Sequence, residues 1–418
     1  MDPHGRIDVK WDVMSWTPDG YVQAVVTMTN MQTYRHIESP GWTLGWKWAK
    51  KEVIWSVLGA QASDQGDCSS FKENLPHSCK KNPSIIDLLP NAPFNQQFSQ
   101  CCKGGVLASQ GQDPAAAVSS FQISIGRSGT SKKTISLPQD FYLLGSGPGY
   151  TCTAAAVVSP SAFYLGDGRR RSQALMTWSL TCSYSQTIVS KNPSCCVSMS
   201  SFYSTQITPC PSCSCGCQQE PFSLFPNRKE DHKISSLVEK SKAERKMVQC
   251  TEHMCPIKVH WHVKNNYKTH WRVKLTVTNF RYRTNYTKWT LAVHHPSLRS
   301  LANVSSFLYK PLMVYGASND TGMFYGIDGV NAVLLEAGSN GNVQSEILLQ
   351  KDNNSSFSLE HGWPFPWRIY FNGDECAMPS PDTYPSLPSS ARFSAPTGFG
   401  SIKGYLQILV FIVLIGIV

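Results

Sequence analysis

A repeated pattern of alternating apolar and polar residues occurs twice in this chain and constrains its fold more than any other feature. The first copy, residues 7–30, reads IDVKWDVMSWTPDGYVQAVVTMTN, and the second, residues 257–279, reads IKVHWHVKNNYKTHWRVKLTVTN. Each copy ends in Thr-x-Thr-Asn and is followed by Trp-Thr-Leu, at Trp42 and Trp289. Period-two alternation on both sides of a turn is typical of two antiparallel strands with one buried face. The repeat therefore predicts two related β-sandwich modules.

The composition agrees with an all-β chain. Only 16% of the residues are charged, whereas Gly, Pro and aromatic residues are plentiful, which favours strands joined by turns over amphipathic helices. Between the two repeats, strand-like runs such as SSFQISIG and ALMTWSLTCSYS continue the β pattern. We expect two related β-sandwich modules that flank a cysteine-rich β region and are linked by disulfides.

Shifts in composition along the chain predict its domain boundaries. The predicted segments are a first sandwich module at 1–103, a β region ending in the cysteine-rich segment at 104–217, a charged linker at 218–249, a second, N-glycosylated sandwich module at 250–378, a Pro- and Ser-rich stalk at 379–404, and an apolar tail at 405–418.

The cysteine content indicates an oxidising compartment. The chain has 15 cysteines, including two Cys-Cys pairs, and such a density is typical of secreted proteins with disulfides. An odd number leaves one cysteine without an intrachain partner. The run CPSCSCGC, residues 210–217, also has spacings that suit a soft metal, and His260 and His262 share one strand face with His253 nearby. We favour disulfides and packed or surface histidines, and we predict no metal and no cofactor.

Signals for secretion and for membrane attachment lie in the last third of the chain. The predicted N-glycosylation sites are Asn285, Asn303, Asn319, Asn353 and Asn354. The apolar tail is too short for a spanning helix and fits a glycosylphosphatidylinositol (GPI) attachment signal, with Ser389 or Ser390 as the attachment residue. The chain begins MDPHGRIDVKW, without a charged region followed by an apolar one, so we expect a signal peptide that this sequence does not include.

Aromatic residues are concentrated in the N-terminal module, where GWTLGWKWAKKEVIW places four tryptophans within residues 41–55. In strand geometry Trp42, Trp46 and Trp48 point to one face. Such a face is either a sandwich core or a strip of exposed rings for stacking on sugars, and we favour the strip. The candidate sugar-binding residues are Trp11, Trp16, Tyr21, Tyr34, Trp42, Trp46, Trp48 and Trp55.

Longer motifs carry a resemblance to a known family. They include KWDVMSWTPDGYV, SPGWTLGWKWAKKEVIWSVLGAQ, NQQFSQCCKGG, GPGYTC, RRRSQALMTWSLTCSYSQ, HMCPIKVHWHVKNNYK, YFNGDECAMP and the motif CCVS, which comprises Cys195, Cys196, Val197 and Ser198. The chain resembles the plant COBRA-like family of GPI-anchored cell-wall proteins, and its N-terminal region is similar to family 2 cellulose-binding modules. The resemblance implies a protein at the outer leaflet of the plasma membrane and in the wall. Such a protein binds cellulose and affects microfibril deposition, orientation and crystallinity.

No enzymatic motif accompanies these features. The chain lacks a Gly-x-Ser-x-Gly elbow, a phosphate-binding loop, a dinucleotide-binding motif and HExxH. Its acidic residues form no recognisable catalytic pair; those considered are Asp19, Asp64, Asp67, Asp113, Asp374 and Glu375. We predict a binding protein without catalytic activity, and the alternatives are a wall-remodelling glycoside hydrolase and a surface adhesion or receptor protein.

The net charge bears on possible partners. A formal charge of +10 is compatible with pectic polysaccharide, anionic lipid or nucleic acid. Because the lysines and arginines are scattered along the sequence, we expect no nucleic-acid partner.

Overall fold

A computed structural model describes two β-sandwich domains. It covers residue 2 and residues 5–165, 170–186, 193–211, 255–281, 284–312, 320–334, 341–351 and 363–385. The predicted linker, apolar tail and attachment residues Ser389 and Ser390 lie outside these ranges. Within the ranges, no helix is both long and apolar enough to cross a membrane.

The first domain contains two facing sheets. Its strands are β1 (Arg6–Trp16), β2 (Val22–Asn30), β3 (Thr43–Lys47), β4 (Val53–Leu58), β5 (Ala60–Ala62), β6 (Ser84–Asp87), β7 (Val118–Gly126), β8 (Gln139–Leu144), β9 (Tyr150–Cys152), β10 (Ala156–Val158), β11 (Ala162–Leu165), β12 (Arg170–Gln173) and β13 (Met176–Tyr184). A seven-stranded sheet runs β10-β13-β1-β2-β7-β4 with β9 also beside β13, and a four-stranded sheet runs β5-β6-β3-β8. Strands β11 and β12 form a separate hairpin, and a 3-10 turn spans Phe94–Gln96.

The second domain is built in the same way. Its strands are β14 (Cys195–Ser201), β15 (Ile257–Asn266), β16 (His270–Asn279), β17 (Tyr286–Thr287), β18 (Thr290–His294), β19 (Leu301–Val304), β20 (Leu308–Leu312), β21 (Thr321–Tyr325), β22 (Val333–Leu334), β23 (Asn342–Gln350), β24 (Arg368–Phe371) and β25 (Asp374–Glu375). One five-stranded sheet runs β14-β15-β16-β23-β19 and the other runs β20-β21-β18-β24-β25. Strands β17 and β22 pair with each other, and 3-10 turns span Pro296–Ser300 and Pro381–Thr383.

The two sequence repeats form equivalent hairpins, as predicted. Ile7 pairs with Asn30 in the first copy, and Ile257 pairs with Asn279 in the second. Both hairpins also shift register at the same place, after Val13 in β1 and after Val263 in β15. The all-β fold with two related sandwiches is therefore confirmed, down to the position of a bulge.

The predicted boundary between residues 103 and 104 is wrong. Strand β7 lies between β2 and β4, and β13 pairs with β1, so residues from both predicted segments complete one sheet. The CCVS strand β14 belongs to the second domain, because it pairs in parallel with β15. Tyr384 packs against the core of that domain, so the domain extends beyond the predicted limit at residue 378. The repeat marks one hairpin in each module and carries no information about how far each module extends.

Disulfides form in both domains, with sequence separations from 1 to 181 residues. The described bonds link Cys68 to Cys79, Cys101 to Cys102, Cys152 to Cys182, Cys195 to Cys376, and Cys196 to Cys210. Cys255 is also disulfide-bonded, and none of the described cysteines is free. The preference for disulfides is therefore confirmed wherever the chain is described. For the run CPSCSCGC this means Cys210, because the other three cysteines of the run lie outside the described ranges.

The domains contact each other through the outer face of the sheet β20-β21-β18-β24-β25. Tyr34 from the first domain is 3% exposed and packs with Ala292, Leu312, Met323 and Tyr370. Thr290 Oγ1 donates a 2.6 Å hydrogen bond to the Tyr34 carbonyl. The predicted role of Tyr34 in cellulose binding is therefore wrong, because the ring is enclosed between the domains.

An ion pair borders this interface. The Arg35 guanidinium is 2.5 Å from Asp374 of the second domain and lies 3.5 Å from the centroid of the Tyr184 ring. Burial disfavours the charged guanidinium, but Asp374, Tyr184 and Tyr150 together outweigh burial and raise the pKa of Arg35. Burial raises the pKa of Tyr184 to about 12. Arg35 therefore remains charged and Tyr184 neutral in the acidic to neutral range.

A buried histidine makes the stability of the second domain sensitive to acid. His295 is 0% exposed, stacks on Trp261, and its Nδ1 accepts a 3.0 Å hydrogen bond from the Ser297 amide. Protonation of Nδ1 removes this acceptor, and burial lowers the pKa of His295 to about 3.

We expect the second domain to lose stability as the pH falls from about 6.5 toward about 3, the window between the unfolded and the folded pKa of His295. Because the folded-state pKa lies below the unfolded value, the contribution is fully present above about pH 6.5 and declines below it, by about 2 kcal/mol at pH 5. His295→Asn keeps an acceptor for Ser297 at the position of Nδ1, without a titrating group. In urea titrations at pH 7 and pH 5, this variant is expected to show a smaller difference in unfolding free energy than wild type. An equal difference would contradict the assignment.

Candidate functional site

Four of the eight candidate cellulose-binding aromatics fill the core of the first domain. Trp11, Trp42, Trp46 and Trp48 are between 0% and 2% exposed. The Trp11 and Trp46 ring centroids lie 5.0 Å apart in an edge-to-face arrangement, and Trp42 stacks on Phe121. The sequence correctly placed Trp42, Trp46 and Trp48 on one face, but the prediction that this face is exposed is wrong. The error arose from the assumed size of the module, because the real domain includes β7 to β13 and has room for all four rings.

A fifth candidate, Trp16, is only partly buried and packs against the same core. It pairs with Val22 at the end of the hairpin, and Val22 points into the core. Trp16 therefore closes the core at this end. Of the predicted set, Tyr21 and Trp55 remain as surface residues.

Tyr21 and Trp55 meet on the outer face of the seven-stranded sheet. The turn at residues 17–20 positions Tyr21, whose amide donates to Thr17 Oγ1. Trp55 lies at the register shift of β4, an edge strand, and is partly exposed. Their ring centroids are 5.7 Å apart. Both rings approach Gly126, where an added Cβ would lie 3.5 Å from Tyr21 and 3.9 Å from Trp55.

A third ring and a cation extend this surface. Phe71 lies 5.7 Å from Trp55, and the Arg127 guanidinium carbon lies 4.2 Å above the Phe71 ring. The Cys68–Cys79 disulfide closes the loop that carries Phe71, and the Phe71 amide donates to the Cys68 carbonyl. Arg127 adopts a positive φ of 57°, a costly conformation for a side chain of this size. We call Tyr21, Trp55, Phe71 and Arg127 the aromatic patch.

Polar side chains continue the same sheet face beside the aromatic patch. Gln23 is exposed and pairs across the sheet with Ser124, which pairs with Ser56 on β4. Ser15 Oγ and Gln23 Oε1 lie 3.3 Å apart. Aromatic rings next to amide and hydroxyl groups suit a sugar, whose axial C–H faces are apolar while its hydroxyls need hydrogen-bond partners. The arrangement can bind the sugar units of a glycan chain.

Phe71 and Arg127 were missed from the sequence. Phe71 lies in the Cys68–Cys79 loop, QGDCSSFKENLPHSC, where a single aromatic residue in a cysteine-closed polar loop could have indicated a presented ring. For Arg127 no comparable signal exists, because its placement depends on the backbone conformation after β7.

The CCVS residues are all buried in the second domain. Consecutive residues of a strand point to opposite faces, so Cys195 bonds inward to Cys376 and Cys196 bonds outward to Cys210. Ser198 Oγ lies 2.5 Å from His260 Nδ1. The motif therefore joins the start of the domain to its last strands.

The remaining predicted sites are only partly described. Asn285 and Asn303 are exposed, as a glycosylation acceptor requires, whereas Asn319, Asn353 and Asn354 lie outside the described ranges. Among the acidic residues considered for hydrolysis, Asp374 contacts Arg35 and Asp64 forms an ion pair with Lys80. Asp67 and Asp113 accept backbone amides in local turns. These four carboxylates are thus engaged in structural contacts.

Comparison with known proteins identifies the family. A model of the COBRA N-terminal domain matches residues 21–185, and a model of the COBRA family C-terminal domain matches residues 194–385. The chain belongs to the COBRA family. These matches cover the first sandwich domain from Tyr21 onward and the second sandwich domain, and they contain the whole aromatic patch.

Named COBRA relatives align along almost the full chain. COBRA-like protein 4 of Arabidopsis thaliana is 57% identical over 415 residues, covering 99% of this chain and 94% of the relative. Protein COBRA of Arabidopsis thaliana is 57% identical over 399 residues, covering 94% and 87%. COBRA-like protein 3 of Oryza sativa subsp. japonica is 56% identical over 396 residues, covering 94% and 86%. The COBRA family assignment therefore rests on both domains.

Proposed function

We propose that this protein binds cellulose through the aromatic patch and promotes the deposition, orientation and crystallinity of cellulose microfibrils in the plant cell wall during cell expansion, without catalysing a reaction. The observation that carries this proposal is the cluster of Tyr21, Trp55 and Phe71 on the outer face of the seven-stranded sheet, with centroids 5.7 Å apart from ring to ring. The loop at residues 63–80 pairs with β4 through Ile54 and Ser78, so the sheet edge is covered while its face stays open.

Stacking supplies the binding free energy in this account. Each ring covers the apolar face of a glucose unit, while Gln23 and Ser124 exchange hydrogen bonds with its hydroxyls. Burying one ring contributes roughly 1.5–3 kcal/mol by area, so three rings contribute roughly 4.5–9 kcal/mol, and the cost of association leaves only a weak net affinity. The chain would then bind cellulose reversibly, which suits a factor that guides assembly and then releases the polymer.

A membrane tether would strengthen this weak interaction. The sequence of the tail supports a GPI anchor at Ser389 or Ser390 on the outer leaflet of the plasma membrane. Tethering raises the effective concentration of the patch near chains that leave the membrane, with no new contact. Binding then competes with packing between cellulose chains and sets the order of the microfibril.

Adsorption to cellulose tests the proposal. We expect Trp55→Ala to weaken adsorption of the secreted protein to microcrystalline and amorphous cellulose about tenfold, because one stacked ring is lost. Phe94→Ala is the matched control, since Phe94 is 90% exposed on the same domain and lies outside the patch. Melting temperatures confirm that both variants are folded. Equal adsorption of Trp55→Ala and wild type would refute the proposed site.

A further inference from the structure

The second domain carries a flat polar face of its own. On β15 and β16 the residues that alternate with the core point outward: Lys258, His260, His262, Lys264, Arg272, Lys274, Thr276 and Thr278. Cross-strand pairing arranges them in rows, with His262 beside Lys274 and Lys274 beside Glu346. We call the surface formed by Lys258, His260, His262, Lys264, Arg272 and Lys274 the basic face. It lies on a different domain from the aromatic patch.

Positive charge is in excess on this face. Lys264 and Arg272 both bind Glu346, with Lys264 Nζ 2.5 Å and Arg272 Nε 2.8 Å from its carboxylate oxygens. Neither Lys258 nor Lys274 forms an ion pair with any residue that the structure describes. Lys258 and Lys274 lie on neighbouring strands, offset by four residues or about 13 Å along the strand direction. Two lysines are thus available to an anionic chain lying along the strands.

Serine hydroxyls of the edge strand β14 and histidine imidazoles of β15 form a hydrogen-bonded network beside these lysines. Both nitrogens of His260 contact serine hydroxyls, at 2.5 Å to Ser198 and 2.8 Å to Ser200, and Ser200 also lies 2.7 Å from His262 Nδ1. Burial and then the charges of Lys258, His262 and Lys274 lower the pKa of His260 to about 4. His260 is therefore neutral at pH 5 and above. Because both nitrogens of His260 are occupied by serine hydroxyls, His260 links β14 to β15, and ligand contacts are left to the cations and rings of the face.

Aromatic side chains lie at one end of the basic face. The Phe202 amide donates to the Val263 carbonyl, which places Phe202 beside Lys264, and Phe202 is 73% exposed. At the tip of the β15–β16 hairpin, Tyr267 is 45% exposed and lines an open groove of ≈ 470 Å³ with Arg272 and Glu346. Rings and cations therefore occur together on one surface.

We propose that the basic face binds a polyuronate, a polysaccharide whose sugar rings carry carboxylates. The cations pair with the carboxylates, and the rings of Phe202 and Tyr267 stack on sugar faces. A neutral glucan lacks the charge that Lys258 and Lys274 recognise. An anionic lipid surface offers charge but no sugar face for Tyr267. The protein would in this way hold cellulose with one domain and an acidic matrix polysaccharide with the other.

Binding to polygalacturonate by the full-length secreted protein tests this proposal. We expect Lys258→Gln with Lys274→Gln to weaken binding about tenfold at low salt, while adsorption to cellulose is unchanged. Lys132→Gln with Lys133→Gln is the matched control, because it removes the same charge from exposed positions of the first domain. Wild-type binding should also fall as salt rises to 0.5 M. An equal loss in both double variants would overturn the proposal, because it would show a general effect of net charge.

Binding to lipid vesicles distinguishes a membrane surface from a polyuronate. Tighter binding of phosphatidylserine vesicles than of polygalacturonate, with the same dependence on Lys258 and Lys274, would replace a polyuronate with a lipid surface.

Asn303 lines the groove and is a predicted glycosylation site, so Asn303→Gln is measured beside wild type. Binding by both proteins supports an accessible face. Binding only after Asn303→Gln would show that a glycan covers the face in the natural protein, and would overturn the proposal.

Discussion

Replacing Cys195 and Cys376 with alanine is expected to lower the unfolding free energy of the second domain by about 4–5 kcal/mol. The two cysteines are separated by 181 residues in sequence, so their bond restricts a very long loop of the unfolded chain. Both sulfur atoms also lie in the core, where Cys195 is 0% and Cys376 2% exposed. Chemical denaturation of the secreted protein, followed by the fluorescence of the second domain's tryptophans, measures the loss.

The Cys68–Cys79 disulfide provides the control. It closes a loop with a separation of only 11 residues, so Cys68→Ala with Cys79→Ala should cost about 3 kcal/mol and act on the first domain. A smaller loss for the long-range pair than for this short-range pair would contradict the proposed role of the CCVS motif as the bond that closes the second domain.

Trp46→Ala is expected to destabilise the first domain by about 3–5 kcal/mol. The Trp46 ring is 1% exposed and lies 5.0 Å from Trp11 and 5.4 Å from Trp48, so its removal leaves a large cavity among aromatic rings. Urea titration measures the change. Tyr21→Ala, at a surface ring, should cost under about 1 kcal/mol in the same assay. Equal stability of Trp46→Ala and wild type would mean that Trp46 is not a core residue.

The hairpins of the fold were predictable because burial and backbone period coincide there. In β1 and β15 every second residue is apolar, so the pattern directly specifies which face is inward, and the structure reproduces it from Ile7 and Ile257 onward. The extent of each domain was not predictable in this way. It depends on pairing between segments far apart in sequence, such as β1 with β13 and β14 with β15.

The candidate site was only partly predictable for a related reason. A row of tryptophans with one parity has the same sequence whether it meets a second sheet or solvent, and Trp46 meets the second sheet. Trp55 lies outside the core because the register shift in β4 reorients it, and an alternation pattern does not show such a shift. Phe71 and Arg127 join the site through loop geometry.

An adsorption isotherm on microcrystalline cellulose tests the central claim most directly. It compares the wild-type protein, a variant with Tyr21→Ala, Trp55→Ala and Phe71→Ala, and Trp46→Phe, which keeps an aromatic ring in the core. The account predicts that the folded triple variant loses adsorption at least a hundredfold while Trp46→Phe adsorbs as wild type despite a lower melting temperature. Retained adsorption by the triple variant, or selective loss by a folded Trp46→Phe, would contradict it.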